Sequence, residues 1–166
     1  MKRSIAAILL VVCLPLAGAA WASGEKAERI ERDYVTAPNA PAFQTWDQAD
    51  EKSRGCISCH TESDRKTMHA SSAVVLGCTD CHGGNASVSV AAGEREGVGY
   101  RDAIDRAHVL PRYPSRWESS ANPERSYTWL LQESPEFVRF INPGDLRIAR
   151  EACGACHLPV IQANEK

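Results

Sequence analysis

Three pentapeptides of one kind constrain this chain more than anything else in it: Cys56-Ile57-Ser58-Cys59-His60, Cys78-Thr79-Asp80-Cys81-His82 and Cys153-Gly154-Ala155-Cys156-His157. Two thiols three residues apart stand on one face of a helical turn. The spacing is that of covalent haem attachment, in which each thiol bonds one vinyl-derived carbon of a porphyrin. The histidine that follows at once is then the proximal ligand to the iron. Three covalent haem c groups are therefore expected, attached through Cys56, Cys59, Cys78, Cys81, Cys153 and Cys156, with His60, His82 and His157 on the irons. Zinc is the competing reading, but closed zinc sites take cysteine pairs two at a time. That would leave one pair over, and zinc does not ask for histidine after each pair. A redox dithiol comes as a single motif in an α/β setting.

The start of the chain sets the compartment. Lys2 and Arg3 precede an apolar run from Ile5 to Ala20, and Ala20-Trp21-Ala22 fits a small-x-small cleavage site. That is the layout of a secretory signal peptide. The run is too short and alanine-rich for a membrane span; an uncleaved anchor is the alternative. Cys13 is preceded by Val11-Val12 rather than the small residues a lipid-modified cysteine needs, so it is expected to leave with the signal. Every other cysteine belongs to a motif. No second hydrophobic segment follows, so no stable membrane span is expected after cleavage, and the location is periplasmic or extracellular. The formal charge of −2 becomes more negative once Lys2 and Arg3 are gone. Nucleic-acid binding, which asks for a basic face, is not expected.

Three stretches follow: 1–22 as signal peptide, 23–44 as a flexible leader, and 45–166 as a trihaem cytochrome c domain. The leader is charged from Glu25 to Asp33 and Ala/Pro-rich from Ala37 to Ala42, a composition that packs poorly. A polar helix is predicted over 45–54, capped by Thr45 or Asp47, and a second over about 100–109. Gly83-Gly84 to Gly93 reads as a mobile surface loop. Pro111, Pro114 and Pro123 interrupt regular structure, and short helical pieces are predicted over 127–131 and 135–141. A last helix is predicted from Asn142-Pro143-Gly144-Asp145 into the third motif. Nothing alternates as a strand does. The fold class is mainly α with much irregular loop and no substantial sheet, a small haem-packed multihaem cytochrome c. Its apolar residues are too scattered for a self-sufficient core, and haem is expected to staple it.

Three irons want six axial ligands, and the chain has five histidines. His69 and His108, outside the motifs, are the candidate distal ligands. Imidazole on both faces closes an iron to exchange and sets it at the low-potential end. Met68 adjoins His69 and is a poor candidate for a sixth ligand, since chain neighbours seldom reach two irons. One haem is thus expected to have an open or partner-filled position. The third, on His157, is the expected one, because no histidine or methionine follows it.

From about residue 50 onward the chain resembles the large multihaem c-type cytochromes of bacterial respiratory electron transfer. The resemblance lies in Cys-Thr-Asp-Cys-His-Gly-Gly-Asn (78–85), Ala-His-Val-Leu-Pro-Arg (107–112), Ser-Ala-Asn-Pro-Glu-Arg-Ser-Tyr (120–127) and Glu-Phe-Val-Arg-Phe-Ile-Asn-Pro-Gly-Asp-Leu-Arg-Ile-Ala (136–149). It implies a respiratory electron carrier, not an enzyme, whose partners are other cytochromes or a terminal reductase. It also implies His60, His82 and His157 as proximal ligands and His69 and His108 as distal ones. Such relatives continue with more haems beyond the point where this chain stops. The expectation is therefore a small self-standing relative or the opening portion of a longer cytochrome with a companion multihaem segment. The alternative function is a haem module with an open sixth site that reduces or senses a small molecule. Arg112, Arg116, Arg139, Arg147 and Arg150 would then attract an anion, although arginines more often face solvent or pair with propionates.

Overall fold

The computed structural model describes residues 27–62, 69, 71–117 and 125–166. The predicted signal peptide, Met68 and Pro123 lie outside them. The described residues are mainly helical, with no strand and much loop between short helices.

Local sequence sets the helix ends. Thr45 caps α1 (Trp46–Glu51) in a full capping box: its hydroxyl accepts from Gln48 N–H, and the Gln48 side chain accepts from Thr45 N–H. The predicted 45–54 helix is broken at Lys52, and α2 (Arg54–Cys59) carries the first motif. The five-residue α3 (Cys78–His82) carries the second. Gly83 stops it at φ +66°, a conformation glycine takes without strain. Next comes α4 (Gly97–Ala107), with His108 as its C-cap. A 3₁₀ turn at Pro114–Arg116 follows, then α5 (Ser126–Leu130). Helix α6 (Pro135–Ile141) has the predicted bounds: fully buried Ser134 accepts from Phe137 N–H, and Pro135 fills the first helical position.

The last helix, α7 (Ala149–Asn164), starts later than predicted and runs on past the third motif. Asn142 to Asp145 form turns instead, with Asp145 N–H on Asn142 O and Ile148 N–H on Asp145 O. Pro159 lies inside α7 and cannot donate to the preceding turn. The helix departs from helical geometry at His157 (φ −112°, ψ 16°).

Two expectations are corrected. Residues 27–42 are not a loose leader but an extended strap tied along the domain. Ile30 N–H donates to Arg112 O, the Arg32 guanidinium to Pro111 O, the Tyr34 hydroxyl to Leu110 O, and Ala40 N–H to Glu151 O. The Ala/Pro composition lacks apolar bulk to pack, but its backbone is free to bond, and the domain supplies partners. Nor is the stretch after Gly84 a free loop. Gly55 N–H donates to Ala86 O, and Val90 N–H to the Ser58 hydroxyl. A Cβ on Gly55 would stand 2.1 Å from Val88 O, so only glycine lets the loop lie on α2.

Leu130, Phe137, Val138 and Ile148 form one small core, with Val109, Trp117 and Ile141 against it. Glu133, buried beside it, accepts from Arg112 N–H, Tyr113 N–H and the Trp117 indole, fixing the 111–117 loop to α5 and α6. In α1–α4 the buried residues are Ala49, Gly55, Asp80 and Ala103. That half of the molecule has no large apolar side chain at its centre.

Candidate haem centres

All three motifs sit on helical turns, in α2, α3 and α7, and the six cysteines are free thiols. Short bonds draw the first two motifs together: Cys78 N–H donates to the Ser53 hydroxyl (3.0 Å) and Thr79 N–H to Lys52 O. The Cys56 and Cys78 thiols influence each other: interaction with Cys78, and then burial, raises Cys56, and interaction with Cys56 lowers Cys78 to about 6. Helix α3 also packs on α6 and α7, so the second and third motifs are neighbours.

The histidines fall into pairs. The rings of His60 and His108 lie 6.2 Å apart between centroids, and those of His69 and His157 lie 6.1 Å apart. Each pair thus joins a motif histidine to one outside the motifs. A metal–imidazole bond is about 2.0 Å, and the ring centroid lies about 1.1 Å further on, so trans imidazoles on one metal stand about 6 Å apart. Both pairs have that spacing, which also lies within the roughly 4.5–7 Å of ordinary aromatic pairs. Burial, and then the neighbouring His60, holds His108 below the usual imidazole range. It is therefore neutral, as a metal ligand must be.

His82 differs. Its Nδ1 lies 2.7 Å from Phe140 O. A carbonyl only accepts, so Nδ1 carries the proton and Nε2 presents its lone pair, the usual arrangement behind a metal-ligating histidine. No imidazole faces it at the spacing of the other pairs. The expectation left His157 without a histidine opposite it; the structure sets the His69 ring 6.1 Å from that of His157, and places no imidazole at that spacing from His82. The chain order was misleading because α7 brings the last motif back toward residue 69.

Positioning residues that the motifs did not reveal surround these rings. Phe140 touches two centres, its carbonyl on His82 and its ring 5.1 Å from that of His108. Gly84 (φ +77°) turns the chain so that Asn85 N–H reaches Ala107 O; a Cβ there would stand 2.9 Å from the same oxygen. Arg139, 5% exposed, donates to Ala37 O, Pro38 O, Asp80 O and Cys81 O, so it is a structural tie and not a free anion site. Arg147 and Arg150 are likewise engaged, with Asp145 and Glu165.

Asp80, 3% exposed inside the second motif, accepts from Lys52 (2.6 Å), Gln44 and Gly77 N–H (2.8 Å). Burial raises its carboxyl pKa, but these donors together outweigh it and hold the group below its ordinary value. Only its position between the two cysteines of a motif could have flagged it. Asp80→Asn is expected to lose about 1–3 kcal/mol, since it leaves Lys52 and one N–H poorly satisfied. A thermal melt of the haem-loaded protein reads this directly, and an unchanged melt would show the cluster to be idle.

Among the described residues, no group of three or more His, Cys, Asp or Glu side chains converges as a metal shell. Haem brings four ring nitrogens and needs only one or two more ligands from the protein. No helix among the described residues is long and apolar enough to cross a membrane. No family model, curated protein or solved structure matches the chain.

Proposed function

We propose that this chain is an exported electron carrier with three covalent c-type haems, passing electrons between other cytochromes or a terminal reductase in anaerobic respiration. The observation that carries the reading is the pairing of His60 with His108 and His69 with His157 at the spacing of one iron. Two unrelated stretches of chain bring the non-motif histidines to motif histidines, which neither a disulfide framework nor a dithiol requires.

When bound, haem supplies reversible one-electron chemistry at iron. The chain's own residues do the rest. Cys56 and Cys59, Cys78 and Cys81, and Cys153 and Cys156 would anchor the groups; His60 with His108 and His69 with His157 would hold two of the irons. The bonds from Cys78 N–H to the Ser53 hydroxyl and from Thr79 N–H to Lys52 O set the first two motifs side by side, which would suit transfer from one haem to the next. Partners would meet the carrier through a small, transient interface.

The test is the intact mass after expression in a host that matures c-type cytochromes. The expected mass is the processed chain plus three haems, and Cys153→Ala with Cys156→Ala is expected to remove one. A chain that takes up no haem under those conditions would end this reading.

A further inference from the structure

Building on that reading, the geometry points to a ligand-exchange site on the second haem: the iron held by His82 keeps its opposite face open to a small neutral π-acceptor such as carbon monoxide or nitric oxide. Four of the five histidines are consumed in two pairs, and the fifth is His82 itself. Among the described residues, the lysine beside this motif is engaged: Lys52 is held by Asp80 and Gln44 at 2.6 and 2.7 Å. Phe140 O holds the His82 ring through Nδ1.

The first and third motif histidines each have a second imidazole beside them from elsewhere in the fold, whereas His82, on a helix that packs against α7, has none at that spacing. A five-coordinate ferrous iron binds carbon monoxide by one coordinate bond, with no change in electron count at any protein group. The site would thus respond to a diatomic ligand within an assembly whose other irons cannot.

The experiment takes the full haem-loaded protein, reduces it with dithionite and titrates it with carbon monoxide while recording the Soret band. One equivalent per three haems is expected, together with one high-spin ferric signal in the electron paramagnetic resonance spectrum before reduction. Cys78→Ala with Cys81→Ala is expected to leave two haems by mass and no carbon monoxide binding. Should that variant fail to mature, Cys153→Ala with Cys156→Ala is expected to retain binding at one of its two haems. His69→Ala is expected to raise the stoichiometry from one to two. A three-haem protein that is wholly low-spin and binds no carbon monoxide overturns the inference and leaves the electron-carrier reading standing. Binding that survives loss of Cys78 and Cys81, or vanishes with Cys153 and Cys156, overturns it too. A mass without three haems instead removes the reading on which it rests.

Discussion

Arg139→Met is expected to cost the haem-loaded protein about 3–5 kcal/mol of unfolding free energy, a large share of the roughly 5–15 kcal/mol typical of domains. Arg139 donates to four main-chain carbonyls, two in the strap (Ala37 and Pro38) and two in α3 (Asp80 and Cys81), and its own backbone belongs to α6. Methionine fills much of the same volume and donates nothing, so buried acceptors lose their partners, at about 1–3 kcal/mol for each that water cannot reach. Arg139→Lys keeps the charge but not the planar fork, and should recover part of the loss. Denaturant unfolding followed by Soret absorbance and far-UV circular dichroism measures both. Equal stability of Arg139→Met and the parent would mean that the four bonds contribute little net.

The second large effect is on potential. His108→Met is expected to raise the potential of the first haem by on the order of 0.1 V, because thioether sulfur favours the reduced iron where imidazole does not. The other two haems should keep theirs. Spectroelectrochemical titration resolves the three waves, and near-infrared magnetic circular dichroism reports methionine ligation independently. His108 ends α4 and packs on Phe140, so the exchange disturbs no helix interior. Three unchanged waves would mean that His108 faces no iron.

Much of the helical content was readable because its causes are local. Thr45 and Gln48 cap α1 within four residues, and Ser134-Pro135 opens α6 at the predicted residue. The attachment motifs are local too. The pairing of distal histidines is not: His60 and His108 are brought together through the bond from Asn85 N–H to Ala107 O and the turn at Gly84. Nothing in the spacing of His69 and His157 along the chain indicates that they meet. The strap was misjudged for a related reason. Ala37 to Ala42 has little to bury, and composition does not show that Arg139 and Glu151, a hundred residues later, need its backbone.

The strap also orders events in time. Its carbonyls wait for Arg139, and Ala40 N–H waits for Glu151 O, so the segment synthesised early locks down only after the last third of the chain is in place. Closures between such distant residues carry a high entropic cost and come late in folding. Until then the thiols of the first two motifs lie in an unlatched chain, within reach of the machinery that, on the proposed reading, would install haems on them. The molecule is thus a box whose lid is made first and fastened last.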